Sequence, residues 1–211
     1  MQEYYAARAS EYDRIYAKPE RQSDLRMIEQ WLPGVYQGAN VLEIACGTGY
    51  WTQFFAPLAK RVMAIDSSPE TMEIAASRVP QDKVEFVVGD AYALPQVEPK
   101  FDAAFAGFWF SHVPKSRVPE FLGGLNARLK PGARVVLLDN RYVEGSSTRV
   151  SAADANGDTW QSRPLDDGSS HQVLKNFPTE RELHDAVEGL ASHVTYHQWQ
   201  YFWGLEYVVA G

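Results

Sequence analysis

Apolar positions along this chain follow two alternating periods. From residue 39, short apolar runs are separated by stretches of helical spacing. Ala39–Ala45 reads as a strand, Tyr50–Ala59 as a helix and Arg61–Ile65 as a second strand. Ser67-Ser68-Pro69 is a helix start with proline at its first position, and that helix runs to about Arg78. Val84–Val88 and Phe101–Gly107 are the third and fourth strands. Val118–Leu129 is a helix stopped by Pro131-Gly132, and Arg134–Leu138 is a fifth strand. Strands alternating with helices imply βαβ units, hence a parallel sheet with helices on both faces. Such sheets bind ligands beyond the carboxyl ends of their strands.

The flanks differ. Residues 2–18 are polar and tyrosine-rich (Tyr4, Tyr5, Tyr12, Tyr16) and read as helical. Residues 22–32 set Leu25, Ile28, Trp31 and Leu32 at helical spacing, and Pro33-Gly34 ends that helix. Residues 140–178 are rich in Gly, Ser, Asp and Arg, with turn signals at Asn156-Gly157-Asp158 and Asp166-Asp167-Gly168. A connection this long carries function or structure of its own. A short hairpin is expected, Thr159–Leu165 with His171–Lys175, over one end of the sheet. Thr179–Leu190 is a helix opened by a Thr179-x-x-Glu182 capping box. His193–Ala210 reads as two strands turning near Tyr201–Gly204.

Composition narrows the class. Of 211 residues, 45% are hydrophobic and 22% charged, which excludes wholesale disorder. The net charge of −7 disfavours nucleic acid and anionic membrane surfaces as partners. Cys46 is the only cysteine, so neither an intramolecular disulfide nor a cysteine zinc cluster is available. The longest apolar run, Ala103–Phe110, is too short to span a bilayer, and Met1–Ser10 has no signal-peptide core. These features lead us to expect a cytoplasmic protein, monomeric or homodimeric, with a small-molecule partner.

The candidate chemistry centres on Val41-Leu42-Glu43-Ile44-Ala45-Cys46-Gly47-Thr48-Gly49. A glycine turn after the first strand lets a ligand approach the backbone. Glu43, directly before the turn, would repel a pyrophosphate and favour a ligand with a positive group and no phosphate. S-adenosylmethionine is such a ligand, through its sulfonium. Asp66 ends the second strand, where a carboxylate can accept ribose hydroxyls. Asp90 follows the third, where it can accept an adenine amino group. Each acid taken alone could be a solvated loop residue; three in register around one glycine turn point to one groove.

In these stretches the chain resembles the class I S-adenosylmethionine-dependent methyltransferases. The matching segments are VLEIACGTGYWT (41–52), VMAIDSSPETMEIA (63–76), VEFVVGDAYALP (84–95), FDAAFAGFWFSHVP (101–114) and LKPGARVVLLDNRYV (129–143). The resemblance implies a doubly wound, mostly parallel α/β sheet of seven strands. Its order would be 3-2-1-4-5-7-6 with the last strand antiparallel. It divides the single domain 1–211 into an N-terminal helical lid (1–35), a cofactor-binding core (36–140), a substrate-side insertion (141–178) and a closing helix and strand pair (179–211). It implies S-adenosylmethionine as cofactor and S-adenosylhomocysteine as product. Glu43, Ala45, Gly47 and Gly49 would hold the methionine end, Asp66 and Ser67 the ribose, and Asp90 and Ala91 the adenine, with Met72 beside it. The backbone at Phe108 would accept from the amino group, and Tyr12 or Tyr16 would cover the cofactor or pack in the core. The family's first loop glycine is Ala45 here, and a backbone contact there should survive the methyl group.

Methyl transfer is an in-line displacement that needs proximity and exclusion of water. Phe108-Trp109-Phe110 stands at the mouth of the groove, with one or two of the three expected in the core. His112 is a candidate base for an oxygen or nitrogen nucleophile; its alternative is to orient a loop. Trp109, Asn140, Arg141 and Tyr142 are the candidate acceptor contacts. Arg149, Arg163, His171 and Lys175 in the insertion suit an anionic acceptor, unless they pair with the aspartates around them. Asp139-Asn140 matches two ligands of a magnesium site but the third is missing, so no metal is expected. A catalytically silent cofactor-binding or regulatory protein is the alternative from another class. A NAD-type oxidoreductase is disfavoured by Glu43.

Overall fold

A computed structural model describes residues 9–94, 100–164 and 168–211, without the side chains of residues 9–12. Residues 2–8 of the helix expected over 2–18, the Tyr12 side chain and Leu165 lie outside the described residues. Ten strands and five α-helices are described. A seven-stranded sheet has the order β3-β2-β1-β4-β5-β10-β9. Its strands are β1 (Asn40–Ile44), β2 (Arg61–Asp66), β3 (Val84–Val88), β4 (Phe101–Gly107), β5 (Leu129–Asn140), β9 (Ala191–Gln198) and β10 (Phe202–Val209). Strands β1 to β5 pair in parallel, whereas β10 is antiparallel to both β5 and β9. This is the 3-2-1-4-5-7-6 arrangement expected. Among the described residues no helix is long and apolar enough to cross a membrane.

Alternation along the strands builds two apolar layers. Val41, Val62, Phe105, Val136 and Phe202 pack on one face with α1 (Gln22–Tyr36), α2 (Thr52–Phe55) and α3 (Pro69–Ala76). Leu42, Ile44, Val135, Leu137 and Leu205 pack on the other with α4 (Val118–Asn126) and α5 (Glu180–Val187). Strands buried on both faces read as continuous apolar runs, which is why they were visible in the sequence.

Several boundaries differ from expectation. Helix α1 continues through Pro33 to Tyr36, because its apolar face does: Leu25, Ile28, Leu32 and Tyr36 are all fully buried. The Tyr36 hydroxyl donates to the Ala104 carbonyl at 3.0 Å, fixing that last turn on the sheet. Proline there forfeits one backbone bond, which the packing outweighs. The helix expected over Tyr50–Ala59 is only Thr52–Phe55. Strand β5 begins at Leu129, with Pro131-Gly132 taken up in a bulge: Phe101 faces Leu129, but Ala103 already faces Arg134. The closing turn lies at residues 199–201, slightly earlier than expected.

The insertion forms its own antiparallel sheet, β6 (Ala152–Ala153), β7 (Thr159–Pro164) and β8 (Ser170–Leu174), one short strand more than the expected hairpin. It is docked by buried polar contacts. Lys175 Nζ pairs with Asp139 Oδ1 at 2.7 Å and donates to Ser111 Oγ at 2.5 Å. The N-terminal segment is a 3₁₀ helix, Ala9–Tyr16, followed by a second at Pro19–Arg21.

Candidate active site

The glycine turn is built from both sides. Gly47 N–H donates to Asp66 Oδ2 at 2.8 Å, and Ser68 N–H donates to Asp66 Oδ1 at 2.9 Å. Asp66 thereby ties the end of β1 to the start of α3. Burial pushes its carboxyl up, against the hydrogen bonds from Ser68 and Gly47. Gly49 has φ 72°, and a Cβ there would lie 2.8 Å from Ala75 Cβ. Only glycine fits where the turn crosses α3. Ser68 caps α3, accepting from Thr71 N–H at 3.4 Å.

Among the described residues just two other than glycine have positive φ, Ala45 at 54° and Phe108 at 57°. They end the adjacent strands β1 and β4, and both line one cleft. Strained backbone of this kind clusters at functional sites. The cleft holds about 240 Å³, and Gly47, Asp66, Ser67, Asp90, Ala91 and Trp109 also line it, with Tyr92 and Arg117 at one end. Asp90 Oδ1 accepts from Tyr92 N–H at 2.9 Å, and the Arg117 guanidinium lies 3.4 Å over the Tyr92 ring. The Trp109 indole N–H is buried without a partner.

A second cavity, about 220 Å³, adjoins the first. The 3₁₀ helices, the end of β5 and the insertion enclose it, through Lys18, Arg21, Asn140, Ser146, Arg163 and Lys175 among others. Phe108 and His112 line both cavities. An aromatic stack backs Phe108: Tyr16, which itself lines neither cavity, stacks on Tyr50 at 3.5 Å and on Phe108 at 5.5 Å, and Phe108 stacks on Phe202 at 5.7 Å. Thr48 donates to Asp13 at 2.7 Å, and Asp13 also pairs with Arg78, so the first 3₁₀ helix is held over the glycine turn.

His112 is 5% exposed, and its Nδ1 lies 2.6 Å from the Leu174 carbonyl. A carbonyl only accepts, so Nδ1 carries the proton and Nε2 is the unprotonated nitrogen of the neutral ring. Burial, then the charges of Lys175 and Arg163, hold its pKa well below the usual histidine value. Asp139 is brought down to about 2 in spite of its burial, by the Lys175 ammonium and the hydrogen bonds from Lys175 and Ser111. The buried Lys175–Asp139 pair is therefore ionised.

The remaining candidates separate. Glu43 does not line either cavity: it is 2% exposed and accepts from Thr52 Oγ1 at 3.0 and 2.8 Å. Burial raises its pKa to about 8. Met72 lies in the apolar layer, and Thr71 lines the cleft instead. Trp109 lines the first cavity and not the second. Arg141 turns to the closing strands, donating to the Trp199 carbonyl at 2.8 Å. Tyr142 is exposed and packs edge-on against Phe177, outside both cavities. Sequence reasoning missed Lys18 and Arg21. They flank Pro19 in a polar segment without periodicity, and no local signal marks a cation that the fold carries to the end of a distant strand. Among the described residues no group of three His, Cys, Asp or Glu could hold a metal.

Residues 41–132 match the model of a methyltransferase domain family. The chain is 30% identical to a demethylmenaquinone methyltransferase of Lactococcus lactis subsp. lactis over 67% of its own length and 59% of that protein. It is 35% identical to one of Staphylococcus aureus (strain JH9) over 50% of its length and 45% of that protein. These matches thus span about half the length of the curated relatives. Among solved structures, the DhpI–SAM–HEP complex superposes with a TM-score of 0.79 at 29% identity, covering 97% of this chain and 94% of that one. The N-methyltransferase NodS of Bradyrhizobium japonicum WM9 superposes at 0.62 with 16% identity, over 92% of this chain and 99% of that one, which speaks to fold alone. With its strand order, glycine turn and matched segments, the chain belongs to the class I S-adenosylmethionine-dependent methyltransferases.

Proposed function

We propose that the protein transfers the methyl group of S-adenosylmethionine to an oxygen or nitrogen atom of a small molecule. One observation carries this reading: two cavities of similar size meet at Phe108 and His112, one lined by the glycine turn and the other by the insertion. Two reactants held on either side of that contact would be aligned for in-line displacement. The donor cleft suits S-adenosylmethionine: it offers two carboxylates, Asp66 and Asp90, and close backbone at Gly47. Gly47 would face the methionine end, Asp66 and Ser67 the ribose, and Asp90 and Ala91 the adenine. Bound there, the cofactor supplies an activated methyl on its sulfonium. The similarity to a chain solved with SAM, over nearly the whole length of both, supports the same assignment.

Phe108, backed by the stacked Tyr16 and Phe202 rings, helps to exclude water from the transfer. His112 orients rather than deprotonates. The depressed basicity of its ring makes it a poor proton carrier. The acceptor atom is then the unprotonated form that the substrate itself supplies. Calorimetry with S-adenosylmethionine and S-adenosylhomocysteine, with NAD as control, tests the donor cleft. Heat from the first two and none from NAD is expected; the reverse pattern overturns the reading. Formation of S-adenosylhomocysteine with any small acceptor then separates an enzyme from a silent cofactor-binding protein.

A further inference from the structure

The second cavity is lined by four cationic side chains, Lys18, Arg21, Arg163 and Lys175, and by no carboxylate among the described residues. Arg21 is only 6% exposed. Its guanidinium donates to Asn140 Oδ1 at 2.8 Å, Ser146 Oγ at 3.1 Å and the Ser146 carbonyl at 3.3 Å, all neutral oxygens. The nearest acids are engaged elsewhere: Glu20 accepts from Ser146 Oγ, and Asp24 from the Tyr201 N–H. Two of the five guanidinium N–H groups therefore remain. Arg163 gives two of its five to Gln161 Oε1, at 3.2 and 2.7 Å. Lys18 gives one of three, to the Ser146 carbonyl at 2.5 Å. Lys175 gives two of three, to Asp139 and Ser111.

Among the described residues, Lys175 alone of these four cations has a counter-ion in direct contact, Asp139. A cation withdrawn from water onto neutral dipoles is costly unless an anion joins it. Burial, and for Lys18 also the nearby Arg21, lowers the pKa of both Lys18 and Arg21, a shift that an entering anion would reverse.

We propose that the acceptor bears a dianionic head with three oxygens, a phosphoryl or phosphono group, seated on these four side chains. The proposal rests on the methyltransferase reading and names the substrate class for it. A carboxylate brings one charge and two oxygens, too few for the charge and the unspent donors present. A phosphoryl or phosphono group brings nearly two charges and three strong acceptors. Arginine forks match that geometry. The volume, about 220 Å³, suits a small acceptor.

The test titrates the protein loaded with S-adenosylhomocysteine with methylphosphonate, inorganic phosphate and acetate. Methylphosphonate is expected to bind at least about tenfold more tightly than acetate, and more tightly as pH rises through its second ionisation. Arg21→Gln and Arg163→Gln should each weaken it about tenfold or more while leaving S-adenosylhomocysteine affinity intact. Arg163 lies on the insertion sheet, so its variant decides the matter if Arg21→Gln fails to fold. Acetate binding as tightly as methylphosphonate, no heat from any anion, or a phosphonate affinity untouched by the Arg163 change each overturns the proposal. Loss of S-adenosylhomocysteine binding by the unmodified protein would instead sink the methyltransferase reading. The same titrations on the ligand-free protein would then decide the anion site.

Discussion

Glu43→Gln isolates one buried proton. Glu43 is 2% exposed, its carboxyl bonds only the Thr52 hydroxyl among the described residues, and burial raises that carboxyl from 4.5 to about 8. The unfolded chain releases this proton near the ordinary value; the folded protein keeps it until about pH 8. Between those limits the folded state binds more protons, so its stability falls as pH rises. At about 1.4 kcal/mol per unit, the full linkage is on the order of 5 kcal/mol. From about pH 5 to about pH 8 the unmodified protein should lose roughly 3–4 kcal/mol through this group alone. Glutamine is nearly isosteric and carries no proton to lose. The difference in urea unfolding free energy between the two proteins should therefore shift by that amount, in favour of the variant, at equal m-values. Above about pH 8 both states are ionised and the difference should level off. Parallel stability curves for the two proteins would refute the reasoning, and would mean that Glu43 is already ionised when folded.

Four further outcomes are expected. Asp66→Asn should weaken S-adenosylhomocysteine binding roughly 10–100-fold in calorimetry, by removing a charge-assisted acceptor that also holds Gly47; unchanged affinity would detach Asp66 from the cofactor. Lys175→Met leaves Asp139 buried without its counter-ion, and urea unfolding should register a loss of about 3–5 kcal/mol; a loss near zero would mean that the pair is not ionised. Ala45→Gly relieves a left-handed residue at φ 54° and should raise the unfolding free energy by up to about 1 kcal/mol; a lower midpoint would count against strain there. His112→Gln should slow turnover about tenfold through lost orientation, with no histidine inflection near neutral pH in the unmodified enzyme; an inflection that vanishes in the variant would restore the base role.

Much of the architecture was legible in the sequence for a physical reason. Strands buried on both faces must be largely apolar, and Ala39–Ala45 and Phe101–Gly107 are, apart from Asn40, Glu43 and Asp102. The Thr179–Glu182 capping box and the Ser68-Pro69 start are local chemistry, and both helices begin there. The glycine turn was equally plain, because Gly49 meets α3 too closely for any side chain. Local signals failed where packing overrode them, at Pro33 within α1 and at the bulge of Pro131-Gly132.

The chemistry of the site divides in the same way. Register along the chain carried Asp66, Ser67, Asp90, Ala91 and Phe108 to one cleft, since each follows the end of a strand in a single parallel sheet. Glu43 was assigned from charge alone, but its side chain points beneath the turn, where burial removes the very charge that the argument used. Arg141 and Tyr142 follow the end of β5 as closely as any residue, yet the backbone turns them to other partners. Conversely, Lys18 and Arg21 join Arg163 and Lys175, more than 100 residues away, only because the 3₁₀ segment and the insertion close over the same strand ends. The alternation of apolar and polar residues determines a sheet and where its ligands bind. Which distant charges meet there depends on how the segments without that alternation fold across it.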